Sequence, residues 1–293
     1  MANRILVVGP SAGLAEEFVA EAPAGWGFEG VGRRTARLTA DRYEVVHLVD
    51  AREIGPLEYS VRANDCETVV CFLQEADRNR CQQERPAPGG LPTGLAWEIN
   101  ALAVEAVGRA AVSERKRVVV VSTDEVFYEN GGPATESSPP LSWSENPSWF
   151  GGTRAEGETL LQRLSGSVAI LRVSALFGWK ATPDCDRRLP AQLGLETDAP
   201  GLCQPTWVPD AVRALRFLVE NPLSGIFHVS LREQVRRVEF REALQHRVAL
   251  DRTAIEVPRE RHPGLVPGRL PSLGLGFATL REAVERWPAP TLD

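Results

Sequence analysis

Two lysines, one methionine and three tyrosines are all that this chain of 293 residues holds of those types, and it also lacks the patterns that mark several protein classes. With Lys116 and Lys180 as the whole lysine complement, nearly all positive charge is arginine, a bias that codon usage or selection for stability would produce equally well. The net charge of −6, with no basic run longer than Arg115-Lys116-Arg117, argues against a nucleic-acid surface. Cys66, Cys71, Cys81, Cys185 and Cys203 form no C-x-x-C pair, and His47, His228, His246 and His262 are scattered. Reduced structural thiols are therefore expected, and a metal site is not. No apolar run approaches the roughly 20 residues a membrane span needs, and no signal core precedes the first strand. The expected setting is the cytoplasm, without a membrane or nucleic-acid partner. What remains is 43% hydrophobic residues with a mean hydropathy of −0.18, enough for a substantial soluble core.

Short apolar runs alternate with helical patterns, which predicts a doubly wound parallel sheet with helices on both faces. Strands are expected at Arg4–Gly9, weakly at Phe28–Gly32, then at Val45–Val49, Glu67–Leu73, Val118–Val121 and Val168–Val173. A long helix should cover Trp97–Ser113 and bury Ile99, Leu102, Ala103, Ala106 and Ala110. Another should run over Gly151–Leu164. The proline- and glycine-rich residues 84–94 cannot be helix or central strand and read as a surface loop. A second irregular stretch, residues 129–148, would lie where a pocket opens; Trp143 and Trp149 there either pack or line it.

The chemically pointed segment runs from Arg117 to Glu158. Val118-Val-Val-Val121 reads as a strand buried on both faces and ends in Ser122-Thr123-Asp124. Phe150-Gly-Gly-Thr-Arg154 then opens a helix with positions 150 and 154 on one face. This pairing resembles the extended short-chain dehydrogenase/reductases, and among them the dTDP-4-dehydrorhamnose reductases, whose strand ends in Ser-Thr-Asp and whose helix carries Tyr-x-x-x-Lys. Leu171-Arg172-Val173-Ser174 with Gly178, Gln204-Pro-Thr-Trp-Val-Pro-Asp210, Gly225-Ile-Phe-His-Val229 and Leu280–Trp287 resemble further motifs of that family in the same order. The resemblance implies a Rossmann-like domain over residues 1–175, to which 204–230 return, and a smaller substrate lobe over 176–293.

The resemblance also implies roles for individual positions. Thr123 would polarise a substrate carbonyl with Asp124 beside it, while Phe150 and Arg154 stand where the family has its proton-donating tyrosine and its ribose-binding lysine. Tyr43, Tyr59 and Tyr128 are the only tyrosines, and none has the spacing to replace it. Arginine stays charged and could still reach ribose hydroxyls, whereas phenylalanine has no proton to give. General acid catalysis typically contributes about 10²- to 10⁴-fold, so its loss is large. Glu125, Tyr128 or a water held by Asp124 are the alternatives for a donor. Asn100 matches the asparagine that supports a relay water, or is a polar helix residue.

For the cofactor, the family uses Gly-x-x-Gly-x-x-Gly after the first strand. Here Gly9-Pro-Ser11-Ala12-Gly13-Leu-Ala15 keeps Gly9 in register, puts alanines in the other two places and shifts Gly13 by one. The segment is either a pyrophosphate-binding turn or a plain tight turn. Arg33 and Arg34 would recognise a 2′-phosphate, making the cofactor NADP, or are surface residues; Asp50 would lie near the adenine or cap a loop. Arg187 with Arg188 and Arg269 are candidates for a sugar-nucleotide diphosphate, each weighed against a solvated or structural role. Two functional readings result. One is a member that keeps the fold to bind NADP, a nucleotide sugar or a partner protein without standard reductase chemistry; the other is an active NADP-dependent reductase or related nucleotide-sugar-modifying enzyme with a substitute acid. A homodimer is open in both.

Overall fold

The computed structural model describes residues 3–127, 133–182, 201–245 and 264–287. Its centre is a sheet of seven strands, β1 (Arg4–Val8), β2 (Gly27–Gly32), β3 (Tyr43–Leu48), β4 (Thr68–Cys71), β5 (Arg117–Thr123), β6 (Val168–Val173) and, after three short strands, β10 (Gly225–Val229). Every pairing is parallel, in the order β10-β6-β5-β4-β1-β2-β3. The valine and isoleucine runs that suggested doubly buried strands are so buried: β4 and β6 have no exposed residue. The chain winds from β1 out to β3, then returns to β4 and continues in the other direction. The switch point between β1 and β4 opens a crevice at the carboxyl ends of both.

Helices cover both faces. Helices Gly13–Ala20 and Val208–Glu220 pack with Ile5, Val7, Phe18, Leu171 and Phe227 in one core. On the other face, helices Ile54–Ala63, Val104–Ser113 and Trp149–Gln162 bury Leu57, Val61, Val107 and Leu161 against Leu6, Val69, Val118 and Ile170. The remaining strands, β7 (Leu176–Phe177), β8 (Leu202–Cys203), β9 (Thr206–Trp207) and β11 (Val235–Arg236), join helices Arg237–Gln245 and Leu280–Arg286 around a third core of Phe177, Trp207, Phe240 and Trp287.

The long helix before β5 departs from its sequence reading. Between Leu95–Trp97 and Val104–Ser113 it takes a π-helical path over Glu98–Ala103. Each π turn takes up an extra residue, so the inward face moves. Leu102, expected inside, is 40% exposed, Ile99 is only half-buried, and Asn100 and Ala101 take the buried places. Gly157 sits against this segment. A Cβ there would lie 2.3 Å from the Asn100 carbonyl oxygen, so the helix beginning at Trp149 crosses the π segment backbone to backbone.

Candidate functional site

The crevice at the switch point has a volume of about 430 Å³ and gathers Gly9, Ser11, Ala12, Arg33, Arg34 and Asp50, six positions that the sequence singled out. Gly9 has φ +87°, and a Cβ on it would come within 3.3 Å of the Phe72 backbone, so the turn needs glycine. Its carbonyl accepts the Ala12 amide at 3.1 Å, closing the turn, and the helix then starts at Gly13 with no side-chain cap. Uncapped N–H groups and the positive end of the helix dipole suit an anion. The Ala12 methyl packs partly on the hydrophobic core beneath, so alanine there is compatible with an open crevice.

Charge is arranged along the far wall. Arg33 and Arg34 are exposed at the crevice, and among the described residues neither forms an ion pair. Asp50 accepts the Arg52 amide at 3.0 Å and its guanidinium at 3.0 and 2.8 Å. Those hydrogen bonds hold its carboxyl down at about 2. Asp50 therefore stays negative, paired with Arg52 and with the Arg33 charge also acting on it. The set fits a dinucleotide: backbone N–H groups for a pyrophosphate, arginines for a further phosphate and an acid near the base or ribose.

At the end of β5 the arrangement differs. Thr123 donates its hydroxyl proton to Asp124 Oδ1 at 3.2 Å and accepts the Glu125 amide at 3.2 Å. Phe150 is 2% exposed, and the Arg78 guanidinium lies over its ring with 4.8 Å to the centroid. The same guanidinium donates to the buried Glu125 carboxylate, through Nε at 2.7 Å and through Nη2 at closer range. Glu125 Oε2 accepts the Ser148 hydroxyl at 3.1 Å, and Ser148 also caps the helix by accepting the Gly151 amide at 3.1 Å. Both Glu125 oxygens are therefore occupied as acceptors, one by a cation, an arrangement that does not suit a proton donor. Of the other two alternatives, Tyr128 lies outside the described residues, and Asp124, 2% exposed, accepts the Thr123 hydroxyl through Oδ1.

Arg154 reaches inward. It donates to the Leu73 carbonyl at 2.9 Å and to the Val121 carbonyl, tying together the carboxyl ends of the neighbouring strands β4 and β5. Burial lowers its pKa from the ordinary value, partly offset by Cys71 and Glu158 nearby. Asn100, with no exposed surface, accepts the Glu75 amide at 2.8 Å and donates to the Glu75 carbonyl at 3.3 Å and Thr153 Oγ1 at 3.0 Å. It clamps the loop after β4 to the helix that carries Phe150.

Beneath Thr123 lies a buried polar chain. Ser122 donates to Glu158 Oε1 at 2.5 Å, and Arg172 donates through Nε to both Glu158 oxygens, at 3.1 and 3.0 Å, and through Nη2 to Oε2 at 2.5 Å. Arg172 also meets His228 Nε2 at 3.3 Å and covers the Phe127 ring at 4.6 Å. Burial, reinforced by the Arg172 charge, pushes the His228 pKa down to about 4.

Two of the substrate-binding candidates lie elsewhere, and the third cannot be placed. Trp149 is 1% exposed, near-parallel to Trp97 with ring centroids 6.2 Å apart, and edge-on to Trp143 at 6.0 Å, which is a packing role. Arg269 donates to the Ile226 and Ser224 carbonyls at 2.8 and 2.9 Å and lies over Phe227, so it braces the amino end of β10, opposite the crevice. Arg187 is outside the described residues. Sequence reasoning passed over Arg78 and Ser148; the available signal was Glu125, an acid directly after a buried strand, which needs a cation. Among the described residues no cluster of His, Cys, Asp and Glu could hold a metal, and no helix is long and apolar enough to cross a membrane.

The model of the RmlD substrate binding domain matches residues 4–263. Methionine adenosyltransferase 2 subunit beta of Xenopus tropicalis is 25% identical over 290 residues, covering 90% of this chain and 80% of that protein. Among solved structures, dTDP-4-dehydrorhamnose reductase of Bacillus anthracis in complex with NADP superimposes with a TM-score of 0.73 at 20% identity, over 98% of this chain and 99% of that one. A dTDP-glucose 4,6-dehydratase of Streptomyces venezuelae with NAD bound gives 0.70 at 21% identity, over 97% and 96%.

Proposed function

The chain belongs to the RmlD substrate binding domain family, and on that footing we propose that it binds NADP(H) and a nucleotide sugar without performing the family's usual carbonyl reduction. The dinucleotide would lie in the crevice between β1 and β4, with its pyrophosphate on the amino end of the Gly13–Ala20 helix and a 2′-phosphate between Arg33 and Arg34. A bound nicotinamide supplies or accepts a hydride. The chain's own part in reduction would be to deliver a proton to the new alkoxide, and neither Phe150 nor the cation-paired Glu125 is suited to that.

One observation carries this reading: Phe150 is buried under Arg78, whose charge is matched by Glu125. The position of the family's acid holds an apolar ring, and the Glu125 carboxylate is tied to a cation. Arg154, in the lysine's place, has its donors directed at backbone carbonyls. A binding or regulatory role follows, and the similarity to a protein named as a subunit of a methionine adenosyltransferase favours a protein partner over a second copy of the chain. The buried free thiols Cys66, Cys71, Cys81 and Cys203 suit a reducing compartment such as the cytoplasm.

Fluorescence titration with NADPH tests the first half: saturable binding is expected, and none up to millimolar cofactor would remove the cofactor assignment. Incubation with NADPH and a 4-keto nucleotide sugar tests the second. No steady oxidation is expected, and sustained turnover by the unmodified protein would refute the non-catalytic reading.

A further inference from the structure

The helix that follows the Gly9 turn carries two adjacent glutamates, Glu16 and Glu17, exposed by only 2% and 1%. A carboxylate inside a protein is tolerated when its oxygens are fully met by donors. Glu16 accepts the amides of Arg37, Leu38 and Thr39 at 2.6, 2.9 and 3.1 Å, and the Thr39 hydroxyl at 3.1 Å. These donors are consecutive residues of the loop that leaves β2, the loop that begins with Arg33 and Arg34. Glu17 is used in the same way on a different segment, accepting the amides of Lys180, Ala181 and Thr182 at 3.0, 2.8 and 2.9 Å.

From this geometry we infer that Glu16 is the positioning residue for 2′-phosphate discrimination, holding the 33–39 loop so that Arg33 and Arg34 stand at the crevice. The inference rests on the dinucleotide reading above. The two arginine side chains are exposed and, among the described residues, form no close ion pair, Arg33 feeling only the weak pull of the Asp50 charge, so their placement comes mainly from the backbone that Glu16 pins. A pre-placed guanidinium pair binds phosphate without first having to be ordered. Released from Glu16, the loop would keep both charges and lose their placement, so attraction to a phosphate would persist and selectivity would fall.

The test is calorimetric titration of the full chain with 2′,5′-ADP and with 5′-AMP. The unmodified protein is expected to prefer the 2′-phosphorylated ligand. Glu16→Gln puts an N–H where loop amides now donate, and should reduce that preference roughly tenfold while leaving 5′-AMP affinity nearly unchanged. Glu17→Gln, which perturbs the same helix but a different loop, should retain it. If the unmodified chain binds neither ligand, the dinucleotide reading fails. If it prefers 2′,5′-ADP and Glu16→Gln does so equally, the dinucleotide reading stands and the role of Glu16 is overturned. Should Glu16→Gln not fold, Thr39→Val removes a single donor and is expected to lower the preference by a factor of about three; an unmoved ratio overturns the inference equally.

Discussion

Replacing Arg172 by methionine removes the cation from a pair in which Arg172 has no exposed surface and Glu158 only 2%. Three hydrogen bonds of 2.5 to 3.1 Å and the ring contact with Phe127 go with it, and Glu158 keeps only the Ser122 hydroxyl. Leaving one member of a buried ion pair alone costs about 3–5 kcal/mol, a large share of the roughly 5–15 kcal/mol that holds a typical domain folded. Glu158→Gln, which strands the guanidinium instead, should cost a similar amount. The double variant removes both charges, lets the Gln carbonyl keep the Ser122 bond, and should lose much less than the sum, with a coupling of about 3 kcal/mol. Urea unfolding of the four proteins at neutral pH measures this cycle directly. Additivity within about 0.5 kcal/mol would refute the claim that the pair acts as one unit.

Acidification should weaken the fold through His228: its folded pKa of about 4 lies below the unfolded value of 6.5, so the unfolded chain takes up the proton first and stability falls as pH drops through that window, by about 3 kcal/mol in all. Urea midpoints for His228→Gln should show a shallower slope between pH 6.5 and 5, and an unchanged slope would assign the effect elsewhere. Gly157→Ala forces a Cβ to within 2.3 Å of the Asn100 carbonyl oxygen and should lower Tm by about 2 to 12 °C in a thermal scan; an unaltered Tm would mean that the helices are not in backbone contact. Arg154→Lys gives up the two-pronged hold on Leu73 and Val121 and should cost about 1–3 kcal/mol in denaturant; a gain in stability would contradict its bracing role.

The strands were legible because a doubly buried parallel strand is a continuous apolar run, and Val118–Val121 and Val168–Leu171 are such runs. The long helix was legible as a helix, but its inward face was not: a 3.6-residue period selected Leu102, and the π path turned it out in favour of Asn100 and Ala101. At the crevice, Gly9, Ser11, Ala12, Arg33, Arg34 and Asp50 came together because each follows directly from a strand end, and strand ends share one edge of the sheet. Spacing also put Phe150 and Arg154 on one helix face, but it carries no information on side-chain direction, so the turn of Arg154 toward the Leu73 and Val121 carbonyls could not be read from it. Arg269 was drawn to the site by its motif, whereas its contacts are with the opposite end of β10.

Trp97, Trp143 and Trp149 stand about 6 Å apart, one pair tilted by 16° and the other two by 76° and 85°. Indoles this close couple their excitations, and a circular dichroism couplet that isolated tryptophans lack is the expected signature. Trp149 opens the helix that carries Phe150 and Arg154, so any ligand or partner that displaces this helix would announce itself optically, with no label attached.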